Sequence, residues 1–261
     1  FTFDSNSDIN HLLSSTSQDF KKLKLWFLHN KLTLNHSKTC FSIYHTKNKR
    51  VPDNLTEIQI DGISIKRELS VKYIGLMIDE ELRWKDHVEG LVKSLVKYFG
   101  IFNQLKDYIS VSLARQLYFA FVHSRIKYGI EVYGSCSNTL IKRLQIIQNK
   151  LLKLLLRLHP RMRTDELHSQ FNILKVPDIY KVSLSMVTHD CLNEKCPIPL
   201  RNYFRRGRSR HNTRQAGQLE IKRTRTTLGM TRVQHRAAKT WNDLSQDLTS
   251  IMDKNKFKKR L

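Results

Sequence analysis

Apolar residues recur along this chain with two different periods, and the change falls near residue 84. Over 8–30, Ile9, Leu12, Leu13, Phe20, Leu23, Trp26 and Phe27 share one helical stripe, with Ser7 or Asp8 placed to cap its N-terminus. A turn over 30–35 is expected to bury Leu32 and Leu34, and 40–44 alternates like a strand. Ile58 and Ile60 on one side and Ile63 and Ile65 on the other flank Asp61-Gly62. That pair tolerates positive φ at both positions, so it predicts a two-residue hairpin. The nearly unbroken apolar run over 71–78 predicts a third strand covered on both faces.

Beyond Trp84 the period is helical. Val88, Leu91, Val92, Leu95, Phe99, Phe102 and Leu105 hold it for about five turns. A second helix over 110–124 starts at Ser110 and is expected to turn Leu113, Leu117, Tyr118 and Phe121 inward. A third, over 138–159, carries an apolar stripe of Leu140, Leu144, Ile147, Leu151, Leu154 and Leu158. Its opposite face bears Lys142, Arg143, Lys150, Lys153 and Arg157. Shorter helices are predicted at 164–172 and at 177–194, where Pro177 suits a first turn. Residues 200–227 are polar, basic and aperiodic and read as a linker or exposed arm; one last helix is expected near 232–244, with Val233, Ala237, Ala238, Trp241 and Leu244. The fold class is therefore α+β, mainly α. The expected organisation is a mixed piece over 1–79, a helical piece over 80–199, and a basic arm with one short helix over 200–261. The first piece is too short for a doubly wound sheet, and its strands read as the end of a larger domain.

Charge sharpens this picture. The 261 residues carry 46 Lys and Arg against 23 Asp and Glu, a net +23. Residues 201–261 alone hold 17 basic against 4 acidic side chains, a net +13. Neutralising phosphates with such a block releases counterions, which makes binding strong and salt-dependent without reading sequence. A solvated basic tail is the plain alternative, but at this charge nucleic acid is the better expectation. Glycine is scarce, at 9 residues, and no Gly-rich phosphate loop, Rossmann pattern or Gly-x-Ser-x-Gly elbow occurs. No apolar run reaches the roughly 18 residues of a membrane span, so no membrane partner is expected. Four cysteines form no disulfide-scaffold pattern and fit a reducing compartment. The sequence starts at Phe1 rather than Met, which is expected of a processed or incomplete chain.

Three blocks resemble one family. Trp26-Phe27-Leu28-His29-Asn30-Lys31-Leu32-Thr33-Leu34-Asn35-His36-Ser37-Lys38-Thr39 resembles a WF-x-x-NKLSLN-x-x-KT block. The segment from Tyr73-Ile74-Gly75 through Ile78-Asp79 to Leu82-Arg83-Trp84-Lys85-Asp86-His87 resembles (F/Y)LG-x-x-ID-x-x-L-x-W-x-x-H. His211-Asn212-Thr213-Arg214, Arg225-Thr226-Thr227-Leu228-Gly229 and Lys239-Thr240-Trp241-Asn242-Asp243-Leu244 resemble a C-terminal block ending in LWNSLP. In this order the blocks are those of reverse transcriptases of jockey-like non-LTR retrotransposons. Ala237 and Ala238 depart from an expected Gly-Pro, and Ser245 from Leu-Pro, which bears on how the last helix packs.

The resemblance implies the end of a polymerase palm over 1–79, a helical thumb, and a basic C-terminal region. It implies an RNA-directed DNA polymerase that uses two magnesium ions, with template–primer RNA and DNA and the N-terminal polymerase portion as partners. The family's Tyr/Phe-Ala-Asp-Asp turn lies a little under thirty residues before the WF block, so it is expected just upstream of Phe1, with Phe1-Thr2-Phe3 as a return strand. A two-metal site needs several convergent carboxylates, and Asp4 has only Asp8 nearby, so no cofactor is expected in this chain. Within the resemblance Lys38 is the candidate general acid for the departing pyrophosphate, with Lys31 second. Lys72, Tyr73 and Gly75 are the candidate primer-holding residues. Lys142, Arg143, Lys150, Lys153, Arg157, Arg214, Arg223 and Arg225 are the candidate nucleic-acid contacts, which position a duplex without specifying its sequence.

The remaining clusters read as structure. Asp79-Glu80-Glu81 suits a helix N-terminus better than a metal, Cys191 and Cys196 with His189 lack the four ligands of a zinc site, and His87 reads as a packing residue. The rival functional reading is a free-standing, basic nucleic-acid-binding module derived from a retroelement, without chemistry.

Overall fold

The computed structural model describes residues 4–6, 8–46, 48–49, 51–207 and 218–261. They fall into two compact units that divide between Arg83 and Trp84.

In the first unit, helix α1 (Ile9–His29) starts at Asp8, whose carboxylate accepts the Asn10 N–H. Ser7 lies outside the described residues. A 3-10 turn (His36–Lys38) leads into β1 (Cys40–Phe41), which pairs in parallel with β3 (Ile63–Arg67). β2 (Glu57–Ile60) pairs antiparallel with β3, Ile60 opposite Ile63, and Asp61 and Gly62 turn the hairpin at φ +50° and +76°. The core of this unit is Phe20 of α1 against Ile60 and Ile65. Trp26 of the expected stripe is 55% exposed, Leu32, expected to be buried, also faces solvent, and Leu28, outside the stripe, is 70% exposed.

Residues 71–78 are not one strand. β4 (Ser70–Tyr73) and β5 (Leu76–Asp79) form a separate antiparallel hairpin, turning at Ile74 and Gly75 with φ +45° and +81°. Gly75 permits that turn, and the flanking apolar residues conceal it in the sequence. A β-branched residue at positive φ is uncommon, and Ile74 holds that position at an exposed tip.

The two sheets are tied by Arg67, whose Nε and Nη2 each donate to the Glu80 carboxylate at 2.8 Å, with both side chains largely buried. The same guanidinium donates to the carbonyls of Pro52 and Leu55.

The second unit is helical: α2 (Lys85–Val96), α3 (Tyr98–Leu105), α4 (Val111–Leu117), α5 (Ser124–Lys127), α6 (Ile130–Tyr133), α7 (Asn138–Leu155), α8 (Thr164–Gln170) and α9 (Val176–Leu192). Ser110 and Ser137 cap α4 and α7 by accepting the N–H of Leu113 and Leu140. Between α4 and α5 the chain winds as a π-helix over Tyr118–His123. Its wider turns keep Ala114, Tyr118, Val122 and Ile126, four residues apart, on one buried face. Leu113 and Phe121, expected inside, therefore point out.

On α7 the buried positions are Leu144, Gln148, Leu151, Leu152 and Leu155. Gln148 is fully buried, and its Nε2 donates to the Tyr118 hydroxyl at 2.7 Å and to the Leu174 carbonyl at 2.9 Å. Gln145 accepts the Val176 N–H at 2.7 Å. Together the two glutamines join α7 to the π-helix and to the start of α9. Gly134, after α6, has no room for a side chain: a Cβ there would lie 2.4 Å from the Tyr180 ring of α9.

The C-terminal residues form more than an arm with one helix. After α10 (Ile198–Arg201) come α11 (Thr227–Thr231), α12 (Val233–Asn242), α13 (Gln246–Thr249) and α14 (Lys254–Arg260). Phe204 and Leu219 are buried, Arg206 and Leu219 form an antiparallel bridge, and Asn242 both accepts the Leu219 N–H and donates to its carbonyl. Isolated apolar residues in a polar stretch conceal this packing from any periodicity. Ala237 and Ala238 are buried against α9. Phe257 of α14 is fully buried, stacked 4.6 Å from the His189 ring and 5.6 Å from Trp241.

Truncating a fully buried aromatic removes its transfer free energy and leaves a cavity. Phe257→Ala is expected to cost about 3–5 kcal/mol, read as a lowered urea midpoint for the second unit. Gln148→Leu strands the Tyr118 hydroxyl and the Leu174 carbonyl and is expected to cost about 1–3 kcal/mol in the same titration; an unchanged midpoint contradicts the network's role.

Candidate nucleic-acid interface

Charge divides unevenly between the units. Residues up to Arg83 hold 12 Lys and Arg against 10 Asp and Glu, whereas Trp84–Leu261 holds 34 against 13, a net +21. Nearly all the excess therefore belongs to the helical unit, and the sites expected in each unit differ accordingly.

In the first unit Lys38 ends the 3-10 turn and is exposed; its N–H donates to the side chain of Asn35 at 3.2 Å. Lys31 is exposed at φ +56° just after α1. Lys72 projects from β4 opposite Met77, Tyr73 is half-buried opposite Leu76, and Gly75 sits in the turn beside Ile74. The three candidate primer-holding residues are thus gathered on one hairpin, with Lys38 on a separate turn.

The acidic run 79–81 is dispersed rather than convergent. Asp79 accepts the Arg83 N–H at 2.8 Å, Glu80 holds Arg67, and Glu81 pairs with the Arg83 side chain at 2.5 Å. Asp4 accepts the N–H of Ser5. Among the described residues no three His, Cys, Asp or Glu side chains gather as metal ligands. These carboxylates do not fit a two-magnesium site.

In the second unit the structure separates the α7 cations by what they already do. Lys142 and Lys150 are exposed, with no ion-pair partner among the described residues. Arg143 lies 3.6 Å from Glu89 of α2. Lys153 donates to the carbonyls of Pro160 and Met162, at 2.7 and 2.6 Å, and so closes the chain after α7. Arg157 lies beyond the helix at φ +54° and donates to the Ile109 carbonyl at 3.4 Å. Arg223 and Arg225 are exposed in the extended segment before α11; Arg214 lies outside the described residues.

Helix α14 is a cationic element that hydrophobic periodicity does not reveal. Its N-terminus is fixed by Asp253, which accepts the Lys256 N–H at 2.7 Å, and by Lys254, which donates to Asp190 of α9 at 2.6 Å. Phe257 anchors its inner face, leaving Lys256, Lys258, Lys259 and Arg260 exposed. The available sequence signal is an Asp cap followed four residues later by a single large apolar side chain. Lys127 of α5 is also exposed. Between these elements lies His123, whose Nδ1 is buried with no partner among the described residues. Burial first, and then the charges of Lys127 and Lys258, push its pKa down to about 4. Burial also lowers the pKa of His87 and His168.

A histidine held neutral in the fold takes up a proton more readily once unfolded, so its stabilisation is complete above the unfolded value of about 6.5 and is lost as pH falls towards 4. The melting temperature of the second unit is expected to drop across that window, and less steeply in His123→Gln. Identical profiles for the two proteins contradict the assignment to His123.

No protein-family model matches the chain, and no solved structure matches it significantly. Three curated proteins do. Over 169 residues it is 25% identical to the "Probable RNA-directed DNA polymerase from transposon X-element" of Drosophila melanogaster, covering 62% of this chain and 18% of that protein. It is 23% identical over 124 residues to the "RNA-directed DNA polymerase from mobile element jockey" of Drosophila funebris, covering 46% of this chain and 14% of that one. It is 22% identical over 153 residues to the "Probable RNA-directed DNA polymerase from transposon BS" of Drosophila melanogaster, covering 56% and 16%. The matched region spans less than a fifth of each relative's length. The chain is thus similar, at 22–25% identity, to RNA-directed DNA polymerases of Drosophila mobile elements, jockey among them.

Proposed function

We propose that this chain is a portion of a retrotransposon reverse transcriptase that grips template–primer nucleic acid and does not by itself polymerise. The observation that carries the reading is the net +21 of the helical unit in a chain whose relatives are RNA-directed DNA polymerases. Cations of this density engage phosphates along a backbone and leave sequence unread, which suits a polymerase acting on arbitrary templates. In this reading residues 1–79 are the end of the palm. Lys72, Tyr73 and Gly75 steady the primer terminus, and Lys38 serves as the mobile acid near the departing pyrophosphate. The exposed Trp26 and Leu28 suit burial against further palm strands. Magnesium and the catalytic aspartate pair belong to the remainder of the polymerase.

The purified chain is expected to bind a fluorescent RNA–DNA hybrid with an affinity that falls steeply and log-linearly with salt. It is expected to give no primer extension above a mock preparation when supplied with magnesium and deoxynucleotides. Extension by the chain alone contradicts the second half of the proposal, and weak, salt-insensitive binding contradicts the first.

A further inference from the structure

We propose that helix α14, rather than the basic face of α7, is the principal phosphate-gripping surface of the helical unit, with the phosphodiester backbone of a nucleic acid as its ligand. The proposal rests on the nucleic-acid-binding reading above and deepens it by naming the surface.

The two candidate faces differ in how many cations remain for a ligand. On α7, Arg143 is engaged by Glu89, and Lys153 and Arg157 donate to carbonyls of the fold, which leaves Lys142 and Lys150. On α14, only Lys254 has a carboxylate partner among the described residues. Lys256, Lys259 and Arg260, spaced three and four residues apart, share one exposed helix face, and among the described residues no acidic side chain pairs with them. Like charges at that spacing repel one another, and no partner within the described fold relieves the repulsion. Lys258 is exposed on the same helix, and its charge and that of Lys127 both act on the His123 imidazole.

The face is also held in place. Asp253 caps the helix, the Lys254–Asp190 pair pins its first turn to α9, and the Phe257 ring is stacked on His189. A cation cluster held on a docked helix loses less conformational freedom on binding than one on a loose tail. The basic residues near the helix C-terminus also lie where the helix dipole tolerates them. A polyanion with closely spaced charges complements a row of three to five such cations; an isolated anion meets only one or two of them.

The test compares three proteins by fluorescence anisotropy with a labelled RNA–DNA hybrid across a salt series: the unaltered chain, a Lys256→Gln/Lys259→Gln/Arg260→Gln variant, and a Lys142→Gln/Lys150→Gln variant. Circular dichroism confirms that each is folded, and phosphatidylserine vesicles are titrated in parallel. The α14 variant is expected to lose two to three units of the log–log salt slope, at about 0.9 per contact, and at least about tenfold in affinity at low salt. The α7 variant is expected to lose less of both. If the unaltered chain binds and the α14 variant matches it, or the α7 variant loses more, the proposal is overturned while the nucleic-acid reading stands. If the α14 substitutions abolish vesicle binding and spare the hybrid, the surface serves a membrane and the proposal is likewise overturned. Failure of the unaltered chain to bind the hybrid at any salt concentration overturns the reading and the proposal together.

Discussion

Helix α9 imposes the constraint on which the helical unit depends. Its buried positions, Val176, Ile179, Ser183, Leu184, Ser185, Thr188, His189 and Cys191, occupy more than one face. A helix covered on several sides must be surrounded, and α5, α6, α7, α10, α12 and α14 all pack against it. Each helix that gives an apolar stripe to α9 must turn its polar side outward. Lysine and arginine are rarely buried without a partner, so the surplus charge of this unit collects on the outside of a shared core. The cationic surface is a consequence of the packing as much as of the composition.

Close approach to α9 depends on small side chains. Ala237 and Ala238 of α12 are buried against it, the absence of a Cβ at Gly134 makes room for the Tyr180 ring, and His189 packs against both Trp241 and Phe257 while its Nε2 meets the Ile251 carbonyl at 2.9 Å. Those contacts join α12, α14 and the turn between them to one helix. The first unit is built differently: a short three-stranded sheet and a separate hairpin are joined by one bidentate Arg67–Glu80 pair and a core centred on Phe20, Ile60 and Ile65.

Much of this was legible in the residues because it is local. The Asp61-Gly62 hairpin, the Ser110 cap and the apolar stripe of α2 follow from turn chemistry and period, whereas of the stripe expected on α7 only Leu144 and Leu151 are among its buried residues. The resemblance to retrotransposon polymerases was read from three motif blocks, and the three curated matches are proteins of that kind. What escaped was non-local. The 71–78 hairpin is hidden because Ile74 occupies a turn position normally left to Gly or Asn. The π-helix shifts the inward face from Leu113 and Phe121 to Ala114 and Val122. The α7 cations look equivalent on a helical wheel, and only the loop carbonyls and Glu89 distinguish them. Helix α14, with one apolar residue that matters, acquires its order from a partner 68 positions earlier, His189.

The most direct measurement of the central claim is lysine-reactivity footprinting of the whole chain with and without an RNA–DNA hybrid. Protection is expected to concentrate on lysines beyond Trp84, strongest at Lys256, Lys258 and Lys259, with Lys21, Lys22 and Lys24 of α1 unchanged. Protection spread evenly over both units, or absent from the helical unit, would contradict it.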